Sequence, residues 1–322
     1  MPSHFSLALP RLTQFLRISI LIADLSLEHK LFYQRASKSY MKQTLYSCPC
    51  CLKPLTACER TLRCDGGHSF DFAKEGYVNL LLGKGGGTHG DNKEMLLARK
   101  AFLSYGYYRP MAERVAALLC KYAPREARLL DIGCGEGYYT EIFADALAKS
   151  AGKREIYAMD ISREAVRLGA KREALCPKGE HPRAQLAVAS AYRLPYLDGS
   201  FSLVTNLFSP LDVGEIHRVL GEGGIFVMVI PEREHLYGLK AAIYETPYKN
   251  EVAPFALQGF ALVEEEPLRY EIVLHGEEIG ALFGMTPYAY RTSAAGREKI
   301  EKLQELKTDV DFHILVYKRN EM

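Results

Sequence analysis

From residue 128 onward, short apolar runs alternate with stretches whose apolar residues recur three and four positions apart. Residues 128–132 read as a short buried strand, 139–148 as a helix, and 155–160 as a second strand. A helix over 163–174 follows, then strands over 185–189 and 201–207. Residues 215–220 have helical spacing, and Gly223-Gly224 leads into a strand over 225–230. Two later strands are expected over 268–274 and 311–317. Alternation of this kind predicts an α/β fold with a doubly wound parallel sheet. Upstream, residues 92–102 carry Met95, Leu96, Ala98 and Phe102 at helical spacing, and 111–122 are again helical. The aromatic turn from Tyr105 to Pro110 separates them. Residues 45–82 have a different texture, with two turns flanked by the strand-like residues Leu62, Phe70, Phe72, Tyr77, Val78, Leu80 and Leu81.

These segments define four parts: an extension over 1–44, a compact unit over 45–82, a flexible Gly-rich linker over 83–91, and an α/β domain over 92–322. The extension is apolar over 16–27, but Arg17 and Asp24 interrupt it. Its longest uncharged apolar core, 18–23, is far short of the roughly 20 residues of a membrane span. It is also shorter than the roughly 7–15 residue core of a secretory signal. Met41 stands as an alternative start of translation, and 1–44 is expected to be disordered or artefactual, with a short amphipathic helix as the runner-up. No membrane partner is expected. The net charge of +2 neither favours nor excludes nucleic acid, because a local basic groove can hide in a neutral total. Of the cysteines, Cys48, Cys50, Cys51, Cys58 and Cys64 crowd together while Cys120, Cys134 and Cys176 scatter. That distribution suits a metal site in a reducing cytoplasm better than a disulfide framework.

Two motifs carry chemistry. Cys48-x2-Cys51 and Cys64-x3-His68 are paired ligands at the spacing that closes a tetrahedral zinc site. Cys50 and Cys58 are spare thiols nearby that stay open as ligands. Gly133-x-Gly135-x-Gly137 follows a strand and opens a helix, with Asp131 just ahead of it. A dinucleotide loop cradles a pyrophosphate, which Asp131 would repel; a carboxylate there suits the ammonium of a methionine moiety, so the loop reads as S-adenosylmethionine binding. Gly133 and Gly135 allow close backbone approach. Asp160, ending the second strand, can accept ribose hydroxyls. Ser190-Ala191 follows the third strand, where an adenine edge would lie. The bland alternative is a strand–turn–helix with structural glycines.

Beyond strand ends the reading stays open. Asn206-Leu207-Phe208-Ser209-Pro210 lacks the Pro-Pro-aromatic pattern of enzymes that methylate exocyclic amines. Phe208 either packs in the core or faces ligand. Tyr108 either lids the cofactor or packs, and His235 is either structural or a cofactor contact. Asp212 and Glu215 are candidate proton acceptors, with a solvated helix start as the alternative.

Taken together, these residues resemble the 23S rRNA (guanine-N1)-methyltransferases of the RlmA type, from about residue 47 to 317. The most specific stretches are Phe70-Asp71-Phe72-Ala73-Lys74-Glu75-Gly76-Tyr77-Val78-Asn79-Leu80-Leu81, the loop from Asp131 to Thr140, and Met285-Thr286-Pro287-Tyr288-Ala289. The resemblance implies a Rossmann-like class I S-adenosylmethionine-dependent methyltransferase sheet with a small N-terminal zinc ribbon. It implies zinc ligands at Cys48, Cys51, Cys64 and His68, and cofactor contacts at Tyr108, Tyr139, Thr140 and His235. It implies as substrate one guanine of the hairpin 35 loop of 23S rRNA, methylated at N1, with two branches of the family acting on neighbouring guanines. A loop base is accessible and cheap to flip. The ribbon would then hold RNA, with Lys53, Arg60, Arg63, Lys74 and Lys84 offered to phosphates and the linker letting ribbon and core close together. A homodimer is left open. The competing expectations are a small-molecule or other-RNA methyltransferase with a structural ribbon, and a non-catalytic zinc-ribbon RNA-binding protein.

Overall fold

The structure is a computed structural model that describes residues 42–83, 92–177, 183–252 and 254–321. The expected disorder of the extension, the alternative start Met41, the behaviour of 84–91 and the phosphate contact of Lys84 lie outside the described residues.

Two sheets are present. The small one is antiparallel and runs in order β1 (Lys42–Ser47), β2 (Pro54–Cys58), β3 (Thr61–Arg63), β4 (Ser69–Asp71). The large one combines β5 (Val78–Asn79), β6 (Glu126–Ile132), β7 (Lys153–Asp160), β8 (Gln185–Val188), β9 (Phe201–Leu207), β10 (Leu220–Pro231), β11 (Phe260–His275) and β12 (Glu305–Arg319). Its spatial order is β11-β12-β10-β9-β6-β7-β8-β5. The six strands from β10 to β5 are parallel, and β12 and β11 add antiparallel pairs at one edge. The strand order reverses between β6 and β9, the place where open α/β sheets bind ligands.

Along each central strand, side chains alternate between two buried clusters. Leu129, Leu203, Val227 and Ile314 face one; Leu130, Val204, Phe226 and Leu315 face the other. The first face is covered by α1 (Lys93–Ser104), α2 (Arg109–Tyr122), α3 (Tyr138–Lys149), α6 (Tyr237–Ile243), α7 (Glu277–Met285) and α9 (Ala294–Lys302). The short α8 (Tyr288–Arg291) follows α7. On the second face, α5 (Val213–Val219) covers only part. Tyr46, Cys48, Leu55, Leu62 and Cys64 of the small sheet complete that cluster. Helices alone therefore do not wind both faces; the ribbon takes the place of one.

The seam between the sheets is tight. Ser47 N–H donates to the Pro195 carbonyl and Leu197 N–H to the Leu45 carbonyl, each at 2.9 Å. The Tyr46 ring stacks on Tyr196 at 5.3 Å and meets Tyr157 edge-on at 5.5 Å. Two expectations change. Val78 and its neighbours do not belong to the ribbon's sheet: β5 pairs in parallel with β8, because fully buried Val78 finds its apolar partners there. The chain of the ribbon therefore joins the large sheet before residue 83. The helix expected over 163–174 ends early, as α4 (Arg163–Gly169). The chain then turns to bring Arg172 onto Glu136 and Glu141.

Candidate functional site: a Cys3His centre and a cavity at the strand ends

Cys48 and Cys51 sit on the turn between β1 and β2, and Cys64 and His68 on the turn between β3 and β4. Their ligand atoms all lie within 4.8 Å of one another. Cys64 Sγ is 3.4 Å from His68 Nδ1, Cys48 Sγ is 3.6 Å from the same nitrogen, and Cys51 Sγ is 3.6 Å from Cys64 Sγ. A tetrahedral zinc with Zn–S bonds of about 2.3 Å has ligand–ligand edges of about 3.8 Å, so the donors fit that ion. Burial opposes ionisation of Cys64, but hydrogen bonds involving His68, Cys51 and Gly66 outweigh it and bring the thiol down to about 6. Gly66 is required by closeness: a Cβ there would lie 3.0 Å from Cys51 Sγ. Cys50 and Cys58 stand outside the cluster.

A cavity of about 730 Å³ opens at the carboxyl ends of β6, β7, β8 and β9. That is the size of a pocket for a drug-sized ligand. It brings together Tyr108, Gly133, Gly135, Tyr139, Asp160, Ser190 and His235. The loop after β6 holds three left-handed glycines, Gly133 (φ 74°), Gly135 (φ 57°) and Gly137 (φ 85°). A Cβ at Gly135 would meet nothing within 4 Å, so its backbone borders open space. Asp160 is set by the loop it serves. Gly135 N–H donates to its Oδ2 at 3.0 Å and Ser162 N–H to its Oδ1 at 2.7 Å. The carboxylate so placed lines the cavity beside the loop.

Asp131 and Thr140 stand behind the loop. Asp131 is 2% exposed and its carboxylate accepts from Thr140 Oγ1 at 2.5 Å and Thr205 Oγ1 at 2.8 Å. Neither Asp131 nor Thr140 lines the cavity. Burial pushes the Asp131 carboxyl up to about 6, against the pull of the two hydroxyls and with repulsion from Asp160. It ties β6, β9 and α3 together behind the loop.

His235 and Tyr108 form a pair. Asp311 N–H donates to His235 Nδ1 at 3.3 Å, which leaves the ring proton on Nε2, 3.2 Å from Tyr108 Oη. The imidazole donates to the phenol, and the phenol keeps its own proton for another acceptor. Burial, helped by Lys240, pushes the His235 imidazole down to about 3, so it is neutral at physiological pH. Tyr108 is buried, and burial raises its hydroxyl well above the usual range.

The two candidate proton acceptors both make contacts within the fold. Asp212 caps α5, its Oδ1 accepting from Glu215 N–H at 3.0 Å. Glu215 pairs with Arg218 at 2.8 Å and accepts from Leu194 N–H at 2.6 Å. Neither lines the cavity. Sequence reasoning missed the wall formed by Met95 and Arg99 on α1 and by Tyr192 after β8. Helical spacing places Met95 in the apolar stripe of α1, but it does not show that Met95 and Arg99, one turn on, border a cavity. On the ribbon, Lys53, Arg60, Arg63 and Lys74 are exposed, with Arg60 Nη2 donating to the Ala73 carbonyl at 2.8 Å.

Comparison with known proteins follows the same division. The family described as "RlmA, N-terminal", a zinc ribbon, matches residues 46–82, and "Methyltransferase domain" matches residues 129–224. The chain is 34% identical to a 23S rRNA (guanine(748)-N(1))-methyltransferase of Streptomyces fradiae, over 76% of this chain and 85% of that one. It is 33% identical to a provisionally named 23S rRNA (guanine-N(1)-)-methyltransferase of Micromonospora griseorubida, over 77% of this chain and 88% of that one. Among solved structures, the YcgJ protein of Bacillus subtilis superposes with a TM-score of 0.44 at 17% identity, over 64% of this chain and 98% of that one. No helix among the described residues is long and apolar enough to cross a membrane.

Proposed function

The chain belongs to the RlmA-type family of 23S rRNA (guanine-N1)-methyltransferases, and we propose from that premise that it methylates N1 of a guanine in 23S rRNA with S-adenosylmethionine as donor. The observation that carries this reading is the joining, in one rigid seam, of a Cys3His ribbon to a cavity whose acidic and glycine-rich walls fit a sulfonium nucleoside. A pyrophosphate would meet the carboxylate of Asp160 with no cation of the loop to offset it. A ribose diol meets two acceptors instead. The relative named for guanine 748 makes that position the first to test, in the hairpin 35 loop.

In this reading Asp160 accepts from the ribose hydroxyls, Gly133 and Gly135 admit the methionine chain close to the backbone, and Ser190 lies at the adenine edge. Tyr108 turns its free hydroxyl proton to the donor's polar groups, oriented by His235, and Tyr139 closes the same side. Asp131 and Thr140 hold the loop from behind. S-adenosylmethionine supplies a methyl group already activated by its sulfonium, so the protein's main task is alignment. The proton on guanine N1 must leave during transfer. Among the described residues lining the cavity, Glu136 is tied to Arg172, Asp160 to the loop amides, and His235 is neutral with both nitrogens engaged. Proton loss is therefore assigned to solvent, not to Asp212 or Glu215. Zinc on Cys48, Cys51, Cys64 and His68 is structural, since four protein ligands leave no open position. Lys53, Arg60, Arg63 and Lys74 are placed to meet phosphates. Such a substrate places the enzyme in the cytoplasm, and a homodimer is compatible with this assignment.

Methylation at N1 removes the pairing edge of guanine and stops reverse transcriptase. Primer extension across hairpin 35, on 23S rRNA from cells with and without the gene, is expected to show a stop only when the gene is present. Identical traces from the two strains would overturn the rRNA assignment.

A further inference from the structure

We propose that Phe208 is the platform on which the target base stacks during transfer; the idea rests on the RNA-methyltransferase reading above and names a residue that determines how the base is held. Phe208 is 43% exposed and lines the cavity at the carboxyl end of β9. Its backbone has φ 60°, a left-handed conformation rare for a bulky side chain. Strain of this kind persists only where surrounding contacts impose it, and it clusters at ligand sites.

Those contacts are visible. Asn206 Nδ2 donates to Ser209 Oγ at 2.8 Å and to the Pro210 carbonyl at 3.2 Å, and Ser209 Oγ donates to the Ile132 carbonyl at 3.2 Å. Ser209 fits only because Gly133 has no side chain: a Cβ there would lie 2.3 Å from Ser209 Cβ and Oγ. The glycine that opens the cofactor loop thus also seats the turn that lifts Phe208 out of the sheet.

The ring is braced as well as exposed. It lies 5.1 Å from Phe312, 6.3 Å from Tyr108 and 6.4 Å from Tyr139, centroid to centroid, in tilted arrangements. An aromatic floor fixes its orientation and leaves the remaining surface open to the cavity. A fixed, half-open ring beside a methyl-donor pocket offers a flipped purine a face to stack on, which costs no hydrogen bond and leaves the base's edge free for chemistry. The bland reading, that Phe208 is ordinary core, does not account for a left-handed backbone spent on exposing an apolar ring.

The chain contains no tryptophan, so F208W carries the sole indole. Zinc-loaded F208W, saturated with S-adenosylhomocysteine, is titrated with the hairpin 35 RNA and with the same hairpin made abasic at the target guanine. The platform predicts quenching of indole emission by the first hairpin and none by the second. In parallel, F208L is expected to lower kcat/KM for the hairpin about ten- to hundredfold, with its S-adenosylhomocysteine affinity and thermal midpoint held. F208Y should recover most of what F208L loses. Equal responses to the two hairpins would overturn the proposal. So would an F208L enzyme with wild-type kinetics, or one whose only defect is cofactor affinity. Wild-type protein that leaves the hairpin unmethylated would sink the rRNA reading and the platform with it, whereas a methylated hairpin with equal indole responses sinks the platform alone.

Discussion

Gly133 and Gly135 share a left-handed backbone but answer to different neighbours. Replacing Gly135 by alanine adds a methyl to open space, so its cost to the fold is the backbone term, about 1 kcal/mol. Because Gly135 lines the cavity, binding of S-adenosylhomocysteine should weaken at least tenfold. Gly133→Ala adds the same backbone term and also overlaps Ser209, so it should cost roughly 3 kcal/mol or more of stability. Urea melts and calorimetric titration separate the two; similar melts for both variants would contradict the assignment. The motif announced that backbone would approach a ligand, but it could not show that Gly133 yields to Ser209, a contact made only once β6 and β9 lie side by side. His235 sets a second test at this scale. Its folded pKa, about 3, lies below the ordinary histidine value near 6.5. Between those values the unfolded chain binds a proton that the native state refuses, so this group's contribution is full above pH 6.5 and is lost as pH falls toward 3. The melting-temperature gap between the wild type and His235→Gln should therefore shift against the wild type as pH is lowered through that window. A gap constant from pH 7 to 4 would mean that His235 is not held neutral.

At the scale of elements, the strands were the most legible part of the chain. The run over 201–207 coincides with β9, and those over 128–132 and 155–160 fall inside β6 and β7. Buried parallel strands announce themselves as apolar runs bounded by turn residues. What local pattern could not tell was partnership. The stretch around Val78 has the texture of a ribbon strand, and only the presence of β8 with unpaired backbone at the sheet edge recruits it. Asp212 and Glu215 show the same limit: acids just beyond a strand end are equally good proton acceptors and helix caps until their partners are seen. The ribbon's four ligands were legible because their spacing alone nearly determines their geometry. Metal binding is folding energy for so small a sheet. Chelating the zinc should therefore raise amide exchange across β1, β2 and β3 by at least tenfold while leaving β6, β9 and β10 protected. Loss of protection throughout would show that the large sheet depends on the metal too, and unchanged β2 and β3 would show that the ribbon does not.

For the whole molecule, the consequence of the seam is that the ribbon is a layer of the fold as well as a metal-bound appendage. Its apolar side, with Tyr46 and Leu55, covers a face of the parallel sheet that a helix would otherwise bury, and its cations point outward from there. An RNA held by the ribbon would then meet the cavity at a fixed distance set by packing. Tyr46 is the residue to probe, since it is 1% exposed and touches both Tyr157 and Tyr196. Tyr46→Ala removes a buried ring and should cost about 3 kcal/mol or more. Tyr46→Phe removes only a hydroxyl with no partner among the described residues and should keep close to wild-type stability. If the ribbon positions RNA through this seam, Tyr46→Ala raises KM for the hairpin while S-adenosylhomocysteine affinity stays put, because Tyr46 does not line the cavity at the strand ends. A variant that loses cofactor affinity in proportion would place the damage in the core. One that melts early yet methylates RNA with an unaltered KM would show that the ribbon does not need its fixed seat to present the substrate.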